Sequence, residues 1–223
     1  AKNAGGDVLG NTDGFLLASQ QNQATVYVDA EHEEISEGEG NEYCGLKIIT
    51  DTFAKDVELV TGNPANVVTS ALELSGNVII AGTIGHNDVI DALIANGSID
   101  VSAMYKDGEL KWDCYQMQFI SGDLLAACGY NGISQALVIA SSNKRGAMYG
   151  LFHISEHIGV SAWVYMADAA PVTYESVYLD ENLLEFNQPN LYVAKEPSVK
   201  YRGFFINDES PSFTGWANQA FRG

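Results

Sequence analysis

Asn207-Asp208-Glu209 follows directly on the apolar run Phe204-Phe205-Ile206. That is the pattern of a buried strand delivering functional groups to the mouth of a sheet. In a (β/α)₈ barrel the catalytic groups sit at the C-terminal ends of strands, so residues 200–209 read as an active-site strand. A barrel takes roughly 250 residues, and the rest of one is expected beyond Gly223. A second pattern is His153-Ile154-Ser155-Glu156-His157, an H-x-x-E-H string. On a helix it sets two imidazoles one turn apart beside a carboxylate, the spacing zinc uses in inverted zincins. A third protein ligand would have to come from elsewhere, and two partly exposed helix histidines are the preferred reading; no metal is expected. A third pattern is the stretch Ser141-Ser142-Asn143-Lys144-Arg145-Gly146, followed four residues later by Gly150. After a buried strand, such a helix start could bind an anion, although the spacing is not that of a phosphate-binding Walker loop. Gly146 and Gly150 share a helix face and allow close packing. For Lys144 and Arg145 a solvated first turn and a functional role stay equally open.

The elements that must hold these groups alternate between strand and helix. Strands are predicted at residues 24–28, 46–50, 77–81, 112–120, 135–140, 162–165 and 176–179. Asp51 is expected to cap a helix carrying Phe53, Val57 and Val60 at i, i+4 and i+7, ending at Gly62. A second helix follows Asn87 and a third spans about 144–158 with a core stripe of Ala147, Leu151, Ile154 and Ile158. Arg145, Tyr149, Phe152 and Glu156 share another face of that helix, a mixture of charge and aromatic rings suited to a domain interface or pocket wall. The continuous apolar runs 77–81 and 135–140 mark strands buried on both faces. The fold class is therefore α/β, a layered domain with a mostly buried mixed sheet, followed by the first strand of a barrel. Residues 1–23 are expected to be loosely structured, 24–197 to form the α/β domain, with 180–197 as its linker, and 198–223 to open the barrel.

Composition narrows the partners. The net charge is −18, from 29 acids against 11 bases, which repels nucleic acid and anionic membranes. An anionic substrate would need its own local positive charge. The acidic stretch from Asp29 through Glu42 lacks calcium-loop spacing and reads as a solvated hairpin tip. No apolar run approaches the roughly 20 residues of a membrane helix. Three cysteines, Cys44, Cys114 and Cys128, allow one disulfide at most. Asn96-Gly97-Ser98 is a glycosylation sequon at an expected helix end, and the start at Ala1 without Met fits a processed, secreted protein.

Several segments together resemble glycoside hydrolase family 115, the xylan α-glucuronidases. They are Ala81-Gly82-Thr83-Ile84-Gly85, Ile90-Asp91-Ala92-Leu93-Ile94, Ala136-Leu137-Val138-Ile139-Ala140 and the run from Asn143 to Gly150. The run from Ile154 to Ser161, Pro197 to Gly203, Phe205-Ile206-Asn207-Asp208-Glu209 and Thr214-Gly215-Trp216 complete the set. The run Ser161-Ala162-Trp163-Val164-Tyr165-Met166-Ala167-Asp168 departs from the family's usual Ser-Pro-Trp and aromatic pattern. The resemblance implies a multidomain, inverting, metal- and cofactor-free enzyme. Its members release glucuronic acid or its 4-O-methyl form, linked α-1,2 to xylan. It implies Asp208 and Glu156 as catalytic carboxylates and Asn207 as a substrate-binding amide. Partners would be glucuronoxylan or aldouronic acid oligosaccharides and the remainder of the same enzyme, with a homodimer left open. The rival readings are a non-catalytic carbohydrate-binding or interaction module, and the pre-barrel domain of a different glycosidase family.

Overall fold

The structure, a computed structural model, describes residues 7–33, 35–38, 41–164, 170–203, 205 and 213–215. Strands β1 (Val8–Leu9) and β2 (Phe15–Ser19) precede β3 (Thr25–Tyr27). A hairpin of β4 (Ile35–Gly38) and β5 (Asn41–Cys44) leads into α1 (Gly45–Thr61). Then come β6 (Asn66–Val68), β7 (Gly76–Thr83), α2 (Asp88–Ala95) and a small hairpin of β8 (Tyr105–Lys106) and β9 (Glu109–Leu110). The chain continues through β10 (Tyr115–Ser121), α3 (Gly122–Ala127), β11 (Ile133–Ser141), α4 (Lys144–His157), β12 (Ser176–Leu179) and β13 (Tyr192–Val193).

Six strands form the main sheet in the order β13-β10-β11-β7-β3-β6. The run β11-β7-β3-β6 is parallel, while β10 is antiparallel to both β11 and β13. Successive side chains of a strand point to opposite faces, and here both faces are dry. Ile79, Ala81, Leu137 and Ile139 face α1 and α4, packing with Phe53, Val57, Leu151 and Ile154. Val78, Ile80, Ala136 and Val138 face α2 and α3, packing with Ile90, Leu93 and Leu125. The layered α/β domain with a buried mixed sheet is thus present. A separate sheet of β1, β12 and β2 packs Phe15, Leu17, Val177 and Leu179 into the α1/α4 core.

Several expectations change. Residues 46–50 form the first turns of α1, not a strand. The β-branched Ile48, Ile49 and Thr50 favour strand locally, but Leu46, Thr50, Phe53, Val57 and Val60 are all buried on one helical face. Cys44, not Asp51, occupies the cap position, and Asp51 pairs with Lys47 one turn earlier at 2.6 Å. Residues 7–23, expected to be loose, contain β1 and β2. The 180–197 linker is part of the domain, since Leu184 is fully buried and β13 joins the main sheet. Residues 162–164 turn rather than extend, and 165 lies outside the described residues. The strand expected from 112 starts at Tyr115, because Asp113 sits at φ 51°. Residues 200–203 and 205 are irregular, and Phe204 and 206–209 lie outside the described residues.

The acidic stretch is also less solvated than expected. Past the carboxyl end of β3, Asp29 and Glu33 are 4% and 2% exposed. Glu33 Oε1 accepts the Thr83 N–H at 2.6 Å, whereas its Oε2 is buried without a hydrogen-bond partner. Burial, only partly opposed by the Thr83 bond, pushes the Glu33 pKa up to about 7. A carboxyl that holds its proton more tightly folded than unfolded costs stability once ionised. Stability is therefore full below the unfolded value of 4.5 and falls as pH rises through about 7. The expected loss is at most about 3 kcal/mol. Urea melts across pH 4–8 should show this decline in the wild type and a flatter profile for Glu33→Gln. A wild-type stability that is level over that range rules the buried titration out.

Candidate active site

Helix α4 carries most of the side chains suited to chemistry. Asn143 opens it, its Oδ1 accepting the Gly146 N–H at 2.9 Å. The stripe Ala147, Leu151, Ile154 and Ile158 is buried, as the spacing predicts. Gly146 lies against the Cys114 carbonyl and Gly150 against the Ile139 side chain and the Tyr115 ring, so a methyl group at either would collide. The two glycines thus let α4 sit close on β10 and β11.

The first turn of α4 is not an open anion site. The Asp113 side chain, fully buried, receives Asn143 Nδ2 at 2.9 Å and Arg145 Nε at 3.2 Å. A second Arg145 nitrogen and Arg202 Nη2, at 2.8 Å, bind its other oxygen. Arg202 also donates to the Tyr149 hydroxyl at 3.2 Å and the Val199 carbonyl at 2.6 Å. Arg145 reaches the Lys200 carbonyl at 3.3 Å, and Lys200 Nζ lies 4.0 Å from the Trp112 ring centroid. One carboxylate therefore ties α4 to the segment that leads toward Asn207 and Asp208. Burial alone would raise the Asp113 pKa. Hydrogen bonds from Arg145, Asn143 and Arg202 more than offset it and hold the carboxyl below its usual range.

Beyond this clamp, the mixed face of α4 opens onto a groove of about 1210 Å³. Tyr149, Phe152 and Glu156 line it from α4, Thr52, Lys55 and Asp56 from α1, and residues 159–164 close one side. Tyr149, Phe152 and Trp163 are 39%, 37% and 57% exposed, so three aromatic side chains remain available beside the exposed Glu156 carboxylate. Concave surfaces of this kind, mostly apolar with few polar groups, are where ligands are held. Of the mixed face, Tyr149, Phe152 and Glu156 line this groove, whereas Arg145 is taken up by Asp113.

The histidines of the H-x-x-E-H string have other partners. His153 Nε2 is 2.9 Å from the Leu184 carbonyl, which can only accept, so that nitrogen carries the proton. Burial lowers the His153 pKa and keeps the ring neutral. Nδ1 then accepts the Tyr115 hydroxyl at 3.0 Å. His157 stacks on His153 with centroids 4.2 Å apart and donates its Nδ1–H to the His153 carbonyl at 2.7 Å. Neither nitrogen of His153 is thus open to a metal.

Among the described residues, one group brings three ligand-type side chains together, Asp29, His32 and Asp88, with atoms within 4.8 Å of one another. It lies where β3 is flanked by β6 on one side and β7 on the other, a topological switch point. His32 Nδ1 already sits 3.0 Å from Asp29 and 3.7 Å from Asp88, and its bond to Asp29 raises its pKa. The His32 ring thus fills the place between the two carboxylates. Sequence reading missed this group because Asp88 is 59 positions from Asp29. Asn96 is exposed at the end of α2, with Nδ2 donating to Cys128 Sγ at 2.7 Å. Cys44, Cys114 and Cys128 are free thiols. Asn207 and Asp208 lie outside the described residues, so only Glu156 of the candidate catalytic set is seen in place.

Comparisons with known proteins point to one glycosidase family. The model of glycosyl hydrolase family 115 matches residues 194–223. Among solved structures the chain is similar to a family GH115 4-O-methyl-α-glucuronidase with specificity for decorated arabinogalactans. The identity is 28% and the TM-score 0.61, over 92% of this chain and 21% of that one. The chain therefore spans about a fifth of that protein's length. No curated protein matches it. The resemblance to family 115 thus holds in sequence at residues 194–223 and in fold over nearly the whole chain.

The clamp gives a direct prediction. Asp113→Ala removes the shared acceptor of two guanidiniums and an amide, which should cost about 1.5–3 kcal/mol at pH 7. The arginine side chains are 40% and 33% exposed, so solvent recovers part of the loss. Because the folded pKa is depressed, the contribution is present above the unfolded value of 3.8 and fades as pH falls further. Urea melts should show variant and wild type converging at acid pH. An equal gap at pH 3 and pH 7 would mean that the charge of Asp113 is not what stabilises.

Proposed function

We propose that this chain is the N-terminal part of a family 115 glycoside hydrolase. The complete enzyme would remove α-linked glucuronic acid, or its 4-O-methyl form, from a polysaccharide with inversion. The observation that carries this is the likeness, at 28% identity over 92% of the chain, to a 4-O-methyl-α-glucuronidase. The groove beside Glu156 supports it, because it joins a carboxylate to aromatic walls on the helix that the Asp113 clamp ties to residues 200–202. Inversion uses two carboxyl groups roughly 6.5–9.5 Å apart, one protonating the leaving oxygen and one activating water. In this proposal Asp208 acts near the reacting carbon or its water. Glu156 orients the sugar or supports proton transfer, and Asn207 holds sugar hydroxyls. The remaining carboxyl group, the cation that grips the uronate, and the rest of the barrel belong to the remainder of the enzyme. Export from the cell is part of the same proposal, since the polymer is too large to enter.

Two polysaccharide backbones compete. The sequence resemblance points to α-1,2-linked side chains of glucuronoxylan, whereas the specificity of the structurally similar glucuronidase favours decorated arabinogalactan. Release of glucuronic acid or its 4-O-methyl form by the complete enzyme should be measured on aldouronic acid oligosaccharides and on arabinogalactan side chains. Turnover of neither would overturn the proposed function. Asp208→Ala should lower kcat by roughly 10²–10⁴-fold, the usual cost of losing a positioned acid or base. Glu156→Ala and Asn207→Ala should also raise KM, because they remove substrate hydrogen bonds as well. Near-wild-type kcat in a well-folded Asp208→Ala enzyme would remove Asp208 from the mechanism.

A further inference from the structure

Helices α1 and α4 meet along an apolar seam of Phe53, Val57, Val60, Leu151 and Ile154, interrupted by one polar bond. Ser155 Oγ donates to Asp56 Oδ2 at 2.7 Å, and each residue is only 3% exposed. Burial raises the Asp56 pKa, opposed by the Ser155 bond. A carboxyl in such a seam is expensive, and well-packed apolar residues often serve stability as well or better. Its position offers a reason for its presence. Asp56 and Ser155 both line the groove, and Ser155 immediately precedes Glu156. The N-terminal end of α4 is already held by the Asp113 clamp and by Gly146 and Gly150 against β10 and β11. Toward its C-terminal end His153 ties the helix to β10 through the Tyr115 hydroxyl and to the Leu184 carbonyl, and the Ser155–Asp56 bond is what ties the last turn to α1.

We infer that Asp56 is a positioning residue: through Ser155 it holds the last turn of α4 against α1 and so fixes where Glu156 enters the groove. This rests on the reading of Glu156 as part of the active site. In this role Asp56 acts through its bond to Ser155 and needs no contact with the sugar. Its effect on turnover passes through Glu156, which distinguishes it from a bond that only stabilises.

The test is a double-mutant cycle in the complete enzyme, with kcat/KM on the glucuronosyl substrates and thermal melts for every variant. Asp56→Ala should lower kcat/KM about 10–100-fold, the scale of a catalytic group displaced by about an ångström. Asp56→Asn should keep most activity, since its amide oxygen still accepts the Ser155 hydroxyl. In a Glu156→Gln background, Asp56→Ala should add little, because residues acting through one another are not additive. Equal losses in both backgrounds, or a lowered Tm with unchanged kcat/KM, would overturn the positioning role while leaving Glu156 in the site. Wild-type kcat/KM in Glu156→Gln would overturn both. If Asp56→Ala does not fold, Ser155→Ala carries the same cycle. Hydrogen exchange gives an arm independent of activity. Asp56→Ala, or Ser155→Ala in its place, should speed exchange in the last turn of α4 and spare its first turn. A uniform increase along the helix overturns the inference.

Discussion

Asp113 joins parts of the chain that local structure could not bring together. Its carboxylate binds the capping amide of α4, the guanidinium of Arg145 in the first turn of that helix, and the guanidinium of Arg202. A carboxylate offers acceptor sites for several donors at once, and here they come from positions 143, 145 and 202. The orientation of α4, the lie of residues 199–202 and the Tyr149 wall of the groove all depend on that one group. Arg145 stabilises the fold by filling the acceptor, which is why the helix start does not present a free anion site.

The second constraint is the closeness of α4 to the sheet. Gly146 and Gly150 remove the side chains that would otherwise hold the helix away from the Cys114 carbonyl and Ile139. With the buried stripe seated, the helix has little freedom to rotate about its axis. Tyr149, Phe152 and Glu156 must then face outward, where residues 159–164 and α1 complete the groove. The site is thus a by-product of how tightly the opposite face packs. It is built on a rigid element, not a loop.

What the sequence revealed follows from the range of the interactions. The buried strands β7 and β11 and the helix starts after Asn87 and Asn143 were legible because each is decided within a few residues. The mixed face of α4 was legible for the same reason, as one helical period. The start of α1 was not, because Ile48-Ile49-Thr50 favours strand and only tertiary burial of Leu46 and Phe53 settles it. Nor were β1 and β13, two-residue strands that exist through pairing with β12 and β10. The Asp56–Ser155 bond spans 99 positions and leaves no local trace. The zinc-like string showed the reverse problem. Its spacing is right, yet His153 is occupied by Tyr115 and Leu184, partners that no motif records.

The clamp is also a cationic island on an acidic molecule. Lys144, Arg145, Lys200 and Arg202 are four of the eleven basic side chains in a chain of net charge −18. At physiological ionic strength the Debye length is about 8 Å, so most of the acidic surface is screened from this patch. The patch therefore keeps its own sign at short range. Neutralising one Asp113 charge would leave an excess of positive potential at the rim of the groove. The same carboxylate that fastens the helix thus also sets the local field beside the Tyr149 wall of the groove, coupling mechanical order to electrostatics at a single group.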